Sequence, residues 1–358
     1  MNIETKILLR PRQIKPSFQG LKVEGIFNPG AIRLPNKKIM LLARVAEKPI
    51  KKNKKFLNCP KVIFDKPYKI YIEKFLRKEV ESEFQNGVVF KNGICRLSTI
   101  SHIKKIILDE NGFNVEKIET KPYFTGKAGD GDYGVEDPRI VKLGNKYLMT
   151  YVSVSSNEGV CTSLALSNNL KYWRREGIIF RIQNKDVVIF PEKINGKYVA
   201  LHRPEGDMNF TKPSIWISYS KDLIYWGKEK AIIDPREKAW DKDRIGSGCP
   251  PIKTKEGWLE IYHGVEDVNE KEIYRAGALL LDLKNPEKIL ARSPKDKPLF
   301  EATEKEEKKG FYNNVVFPTG AILSLDKKSL LIYSGGADSV ISVRKIRIKD
   351  ILNHMEYF

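Results

Sequence analysis

Side chains able to hold a small anion recur at the ends of predicted β-strands along this 358-residue sequence. They combine cations, aromatic rings and a carboxylate, and they are Arg44, Tyr151, His202, Arg203, Tyr262, His263, Tyr333, Ser334 and Asp338. Arginine and histidine hold phosphate through charge-assisted hydrogen bonds. Because phosphate is already ionised near neutral pH, it can attack a sugar carbon without a general base, and one carboxylic acid then suffices. The residue types favour such a reaction over glycoside hydrolysis, which uses two carboxylates.

The elements that position these residues follow from an internal repeat. Each copy contains a proline, an isoleucine soon after it, a short polar turn and an alternating strand, which together predict a β-hairpin. The five copies begin at Pro29, Pro138, Pro191, Pro250 and Pro318, and their second strands are predicted at 39–45, 147–152, 198–203, 258–264 and 330–335.

A second repeat supports this register. Residues 167–173 and 220–226 both run from Ser to Tyr-Trp, and Trp173 and Trp226 are separated by the same interval as the prolines of their copies. Five four-stranded units of this kind predict an all-β fold, a five-bladed β-propeller whose innermost strands line a central funnel. Asn28, Glu136 and Asp137 precede repeat prolines, which places them near the same rim. Taken alone, Asp137 also fits a residue that caps a turn.

Six ordered segments of the sequence resemble glycoside hydrolase family 130, the β-mannoside phosphorylases and related mannosidases. The segments are 134–140, 190–198, 245–252, 257–264, 274–278 and 335–338, and the resemblance runs from about Asn28 to Asp338. It implies a five-bladed propeller and inverting phosphorolysis. In that reaction inorganic phosphate attacks the anomeric carbon of a terminal β-mannosyl unit and releases α-mannose 1-phosphate and a shortened saccharide.

The resemblance also implies roles for individual residues. Asp137 corresponds to the general acid, which protonates the glycosidic oxygen through the 3-hydroxyl of the bound mannose. Residues at phosphate-binding positions are Arg44, Asn184, Lys185, His202, Arg203, Arg244 and Tyr274, with Lys242 as an alternative to Arg244. Residues expected to contact the saccharide are Asn28, Glu136, Tyr262, His263 and Asp338. From the residues alone, His263 also fits a core histidine, and Asp338 a carboxylate in a tight glycine turn.

The expected substrate is β-1,2-mannobiose or a β-1,2-mannooligosaccharide, because residues 42–49 and the insertion after them are similar to family members with that specificity. The alternatives are a β-1,4-mannooligosaccharide or mannosylglucose phosphorylase, a β-mannosidase that uses water, and a non-catalytic carbohydrate-binding propeller. The insertion, predicted around 51–84 with a possible helix at 71–84, is expected to cover the acceptor side of the site.

The amino-acid composition limits the kinds of molecule that the protein is expected to bind. The formal charge of +19 raises a nucleic-acid interpretation, but acidic residues are interleaved throughout, which is typical of a Lys-rich solvated surface. We therefore expect a saccharide and inorganic phosphate as partners, no nucleic acid and no membrane, with a homo-oligomer left open. The four cysteines and four histidines have no metal-ligand spacing, so no metal and no cofactor beyond the phosphate co-substrate is expected.

The expected organisation is one domain over residues 1–358, with a short C-terminal extension at 349–358. The sequence begins with charges every few residues and has no apolar run of membrane-spanning length. Few cysteines and no secretion signal predict a cytoplasmic protein in a reduced compartment.

Overall fold

Antiparallel β-strands make up most of the chain in a computed structural model that describes residues 1–51, 53–65, 68–84, 86–181, 183–206 and 210–358. A first sheet contains β2, β3, β9 and β10, and five further strands are inserted between β3 and β9. The strands up to this point are β1 (Glu4–Leu9), β2 (Leu21–Arg33), β3 (Ile39–Pro49), β4 (Phe56–Asp65), β5 (Tyr68–Leu76), β6 (Val80–Phe84), β7 (Gly87–Phe90), β8 (Cys95–Leu97), β9 (Ile100–Leu108) and β10 (Val115–Ile118).

Two four-stranded meanders follow in chain order. The first of them joins the first sheet in one eight-stranded sheet, whose two halves we call the first and second sheets; the next meander is the third sheet. The second sheet contains β11 (Gly134–Leu143), β12 (Lys146–Ser155), β13 (Gly159–Ser167) and β14 (Arg174–Phe180). The third contains β15 (Asn184–Ile189), β16 (Tyr198–Pro204), β17 (Ile215–Ser220) and β18 (Trp226–Ile233). One parallel pair, Ser101 with Gly134, links β9 of the first sheet to β11 of the second.

The fourth and fifth sheets bring the two ends of the chain together. The fourth contains β19 (Arg244–Ser247), β20 (Ile252–Lys253), β21 (Trp258–Asp267), β22 (Glu272–Leu281) and β23 (Ile289–Arg292). The fifth contains β24 (Val316–Leu323), β25 (Ser329–Gly336) and β26 (Val340–Arg347), and β1 pairs with β26 to complete it. The remaining elements are α1 (Lys305–Lys308), α2 (Ile348–His354), β27 (Glu356–Tyr357), which pairs with β23, and single 3₁₀ turns at Pro11–Gln13 and Arg77–Glu79.

Five hydrophobic clusters each join two neighbouring sheets. Met40 and Met149 lie between the first and second sheets, and Leu148 and Val187 between the second and third. The other three clusters join the third to the fourth, the fourth to the fifth, and the fifth back to the first; they include Leu201 with Trp258, Ile261 with Ile332, and Leu331 with Leu41. Each sheet therefore buries both faces against its neighbours, as expected for a propeller-like arrangement.

Strand pairing confirms four of the five predicted hairpins, β2–β3, β11–β12, β20–β21 and β24–β25. In the third copy the predicted second strand forms as β16, but it pairs with β15, which ends before Pro191. The repeated Ser-to-Trp turns also match: in both, the serine Oγ accepts a hydrogen bond from the backbone N–H of a leucine, Leu170 or Leu223, that has positive φ.

The predicted insertion needs two corrections. The possible helix at 71–84 is wrong, because this stretch forms β5, a 3₁₀ turn and β6, and β5 alternates half-buried with exposed side chains as strands do. Inserted strands also continue to Leu97, past the predicted end. Lys52, Lys66 and Pro67, which belong to the predicted insertion, lie outside the described residues.

The C-terminal segment packs against the chain's own sheets. Ile351 and Met355 enter the cluster between the fourth and fifth sheets, and Tyr357 pairs with Ala291 of β23. No helix in the described ranges has both the length and the apolar character needed to span a bilayer.

Candidate active site

A β-bulge places a polar side chain at the same point in the first strand of three sheets. Each bulge residue has a positive φ, a conformation that Asn and Asp tolerate better than other non-glycine residues. The residues are Asn28 (φ +47°), Asp137 (φ +48°) and Asp186 (φ +57°). Each interrupts the pairing of its strand with the next, so the bulge aims its side chain into a common cavity.

The predicted alignment of the repeat is wrong in the third sheet, as the position of its bulge shows. The prediction aligned Pro191 with Pro29 and Pro138, yet Pro191 lies beyond the end of β15. The residue equivalent to Pro138 is Val187, and the residue equivalent to Asp137 is Asp186.

Most of the predicted site residues line one cavity, and we call the residues that line it the wall of the cavity. Those that line it are Asn28, Arg44, Glu136, Asp137, Lys185, Arg203, Arg244, His263, Tyr274 and Asp338. They come from all five sheets and the connections beside them, although they span more than 300 positions of sequence.

Asp137 is held by two donors on one oxygen. Asn28 Nδ2 donates to Asp137 Oδ1 over 2.9 Å, and Arg44 Nη1 donates to the same oxygen over 3.2 Å. Among contacts in the described part of the chain, Oδ2 receives no hydrogen bond. Asn28 fits because residue 335 is glycine: a Cβ there would lie 1.9 Å from Asn28 Oδ1.

Arg44 pairs with two acidic groups of the cavity, Asp137 and Glu136. Its Nη2 donates to Glu136 Oε1 over 2.6 Å, and its Nε donates to Ser101 Oγ over 3.0 Å. Burial raises the pKa of Asp338 to about 6, and the negative charges of Asp137 and Glu136 add to this rise against the opposing charge of Arg44. The charge of Asp338 therefore changes just below neutral pH.

A set of cations and aromatic rings completes the wall. Arg244 Nη2 donates to Glu272 Oε1 over 2.8 Å and to the Tyr274 hydroxyl over 2.5 Å. Burial raises the pKa of Tyr274, so its hydroxyl stays protonated. Lys242 does not line the cavity and instead pairs with Glu266 at 3.2 Å. The geometry therefore favours Arg244 over Lys242 as the group that faces an anion.

His263 lies among these cations. Within the described residues neither of its ring nitrogens has a hydrogen-bond partner, and Nε2 is 3.6 Å from Asp186 Oδ2. Burial lowers the pKa of His263 to about 3, so the ring is neutral and can donate from one nitrogen.

Three predicted residues lie behind the wall. Asn184 Nδ2 contacts His202 Nδ1 at 2.9 Å, and His202 Nε2 contacts Ser218 Oγ at 2.9 Å. Tyr262 donates its hydroxyl to Asp241 Oδ2 over 2.8 Å and is fully buried between the third and fourth sheets. The predicted acceptor-side position of Tyr262 therefore does not match its place in the structure.

A single rule accounts for all three. Successive side chains of a strand point to opposite faces. Asn184, His202 and Tyr262 each precede a residue that lines the cavity, so only the second member of each pair reaches it.

The prediction missed several residues of the wall. They are Asn86, Asp186, Glu205, Tyr312, Val315 and Phe317. Asn86 comes from the insertion, between β6 and β7. Asp186 would have been found by aligning the third copy on its bulge instead of on Pro191.

Comparison with known proteins identifies the family. A family model described as β-1,4-mannooligosaccharide phosphorylase matches residues 96–357. The chain belongs to glycoside hydrolase family 130. It is 34% identical to a β-1,2-mannobiose phosphorylase of Listeria innocua over 368 aligned residues, which cover 99% of each chain. It is also 41% identical to a 1,2-β-oligomannan phosphorylase of Thermoanaerobacter over 68% of this chain and 78% of that one.

A solved structure of the family agrees with the fold. The Listeria innocua β-1,2-mannobiose phosphorylase, solved in complex with β-1,2-mannobiose, superposes with a TM-score of 0.90 at 34% identity over 99% of both chains. The family 130 resemblance expected from the sequence is thereby confirmed.

Proposed function

We propose that this family 130 chain is an inverting β-mannoside phosphorylase. The observation that carries the proposal is one cavity that holds both a carboxylate, Asp137, fixed by Asn28 and Arg44, and the separate cations Lys185, Arg203 and Arg244. The carboxylate suits a general acid, and the cations suit a phosphate co-substrate.

In the proposed reaction a phosphate oxygen forms a bond to the anomeric carbon of the terminal mannose. The bond from that carbon to the glycosidic oxygen breaks at the same time. Asp137 supplies a proton, which reaches the glycosidic oxygen through the 3-hydroxyl of the mannose. The products are α-mannose 1-phosphate and mannose or a shortened saccharide. Asn28, Glu136 and Asp338 are proposed to hold the mannose hydroxyls, and His263 is proposed to contact the bound substrates.

Phosphorolysis is favoured over hydrolysis by the pairing of three of the four other carboxylates that line the cavity; the fourth, Asp338, is the one proposed above to hold a mannose hydroxyl. A hydrolase needs a second carboxylate free to take a proton from water. Glu136 is paired with Arg44, Asp186 with Arg139 and Arg203, and Glu205 with Arg203. An arginine partner lowers the basicity that such a role requires.

We further propose that the linkage is β-1,2. The relatives described above that act on β-1,2 linkages are the support, since one of them aligns over nearly the whole chain. The matching family model is described by the β-1,4 activity, so the two linkages are the alternatives to test.

The test is incubation of the chain with β-1,2-mannobiose or β-1,4-mannobiose, each with and without inorganic phosphate. We expect mannose 1-phosphate only with phosphate, and faster with the β-1,2 substrate. Mannose release at an equal rate without phosphate would establish a β-mannosidase. Binding of mannobiose without any turnover would establish a non-catalytic protein.

For the architecture we propose one five-bladed propeller domain. The cyclic order of the five hydrophobic clusters and the pairing of β1 with β26 support it. A crystal structure checks the number of blades.

We also propose a cytoplasmic location, because Cys59, Cys95 and Cys249 are free thiols and Cys95 is exposed. Cell fractionation checks this. Association with a second copy stays a prediction, which native mass measurement checks.

A further inference from the structure

Asp186 differs from the other two bulge residues in its surroundings. Its side chain is 2% exposed and lies between two guanidinium groups: Arg203 Nε donates to Oδ2 over 2.7 Å, and Arg139 Nη2 donates to Oδ1 over 3.0 Å. Burial acts to raise the pKa of Asp186, but the positive charges of Arg203 and Arg139 outweigh it and hold this pKa below its ordinary value. The carboxylate is therefore a permanent charge and not a proton donor.

The two arginines lie at different places in the proposed site: Arg203 at the phosphate position and Arg139 behind the general acid. Arg203 lines the cavity and belongs to the proposed phosphate site. Arg139 is buried, and its Nη1 donates to the backbone carbonyl of Asp137 over 3.0 Å. Its Nε donates to the carbonyl of Gly248 over 3.3 Å. One oxygen of Asp186 thus contacts Arg203, a cation of the proposed phosphate site. The other oxygen contacts Arg139, which holds the backbone of the Asp137 bulge.

The room for this arrangement depends on Gly246. A Cβ at position 246 would lie 2.4 Å from Asp186 Oδ2 and 2.5 Å from His263 Cε1. Only glycine lets β19 approach the carboxylate and the imidazole this closely.

We propose that Asp186 is a positioning residue that sets the geometry of phosphate binding and of proton donation together, by fixing Arg203 directly and the Asp137 bulge through Arg139. The proposal rests on the proposed phosphorylase function. It adds a residue that need not touch either substrate. The contact of Asp186 with Arg203 is the first arm of this network, and the contact through Arg139 to Asp137 is the second; the proposal predicts which kinetic constants change when each arm is broken.

The first arm is tested with Asp186→Asn, which keeps the shape but removes the charge. We expect the KM for phosphate to rise about tenfold or more and kcat to fall, because misplaced groups at a reacting centre lose rate steeply. The dissociation constant for mannobiose without phosphate should stay within about threefold, since a hydrogen bond to the sugar is not lost.

The matched control is Asp241→Asn. Asp241 is equally buried between two arginines, Arg236 and Arg292, but lies outside the cavity. We expect it to lower the melting temperature as much as Asp186→Asn does, and to leave the phosphate KM within about twofold, because its partners do not face the substrate. An unchanged phosphate KM in folded Asp186→Asn, or an equal rise in both variants, would overturn the proposal.

The second arm is tested with Arg139→Lys, which also serves if Asp186→Asn does not fold. Lysine keeps the charge but cannot reach Asp186 and two backbone carbonyls at once. We expect kcat to fall about tenfold with the phosphate KM within about threefold. An unchanged kcat would contradict the role of Arg139. Wild-type turnover that is independent of phosphate would instead contradict the proposed function, and the two failures are therefore distinct.

Discussion

Two buried carboxylates in this chain have almost the same partners and different surroundings. Asp186 lies between Arg139 and Arg203, and Asp241 lies between Arg236 and Arg292. Around Asp241 the other donors of the arginines go to groups inside the protein: Arg236 Nη1 donates to the Ser293 carbonyl, Arg292 Nη1 to the Asp234 carbonyl and Arg292 Nε to the Tyr262 hydroxyl. Around Asp186, Arg203 faces the cavity instead.

The difference teaches that residue types do not assign a role by themselves. Breaking either cluster removes a buried ion pair, which costs about 3 to 5 kcal/mol. Loss of stability therefore cannot separate a structural cluster from a functional one. Kinetic constants can, because only one of the two clusters touches the cavity.

The largest expected effect on the reaction rate comes from Asp137, whose backbone carbonyl is held by Arg139 of the Asp186 cluster. Asp137→Asn should reduce formation of mannose 1-phosphate by about 10²- to 10⁴-fold, because the proton donor is lost. The bulge should persist, since Asn28 adopts the same φ in the first sheet. Enzyme assays with circular dichroism check this. A folded variant with more than about a tenth of the wild-type rate would contradict the role of Asp137.

A smaller effect is expected at Arg244, at the edge of the proposed phosphate site. Arg244→Ala should raise the KM for phosphate by about 10- to 100-fold, the cost of one hydrogen bond to a charged group. Lys242→Ala is the control, because Lys242 only pairs with Glu266 at the surface; its effect should stay below about twofold. Initial rates at varied phosphate measure both. The reverse order would show that Lys242 reaches the anion.

The Asp241 cluster should respond in stability alone. Tyr262→Phe removes the hydroxyl that donates to Asp241 and accepts from Arg292, and we expect a loss of about 1 to 3 kcal/mol in the free energy of unfolding. Urea denaturation measures it. A raised KM for mannobiose in this variant would restore the acceptor-side role predicted for Tyr262 from the sequence.

The smallest effect concerns Glu260, a buried carboxylate with no arginine ion pair among the described residues. Burial raises its pKa from an ordinary 4.5 to about 8, so the folded chain holds this proton more tightly than the unfolded chain. Its contribution to stability is complete below about pH 4.5 and is lost as the pH rises through about 8.

Glu260→Gln removes this pH dependence and keeps an acceptor for the Gly248 N–H. We expect the melting temperature of the wild type to fall more between about pH 6 and pH 9 than that of the variant. Thermal melts at several pH values check this, and parallel curves would contradict the raised pKa of Glu260.

The sequence predicted the elements well because a repeated pattern has few alternative explanations. Four hairpins with one internal order, and serine turns spaced alike, are local signals that tertiary contacts did not override. Arg44 was found because it occurs at the end of a repeated strand, and Asp137 because it precedes a repeat proline and the family resemblance assigns it a role. The alternation of side chains could have excluded Tyr262 once His263 was chosen, and His202 once Arg203 was chosen, since neighbours on a strand face opposite ways.

Asp186 was harder to find. Its role depends on which residue of β15 is bulged, and a bulge is a departure from strand pairing that proline spacing does not reveal. Asn86 was missed for another reason: it belongs to the insertion, whose approach to the cavity is a long-range contact without a repeat to predict it.

The pairing of β1 with β26 has a consequence for how this molecule is made. Asp338 lies in the turn between β25 and β26, in the sheet that β1 completes. β1 must therefore wait for β26, which is synthesised much later, and contacts of such sequence separation form slowly. Enzyme activity should consequently appear late in refolding, after most β-structure has formed, because the sheet that carries Asp338 closes only when the two ends of the chain meet.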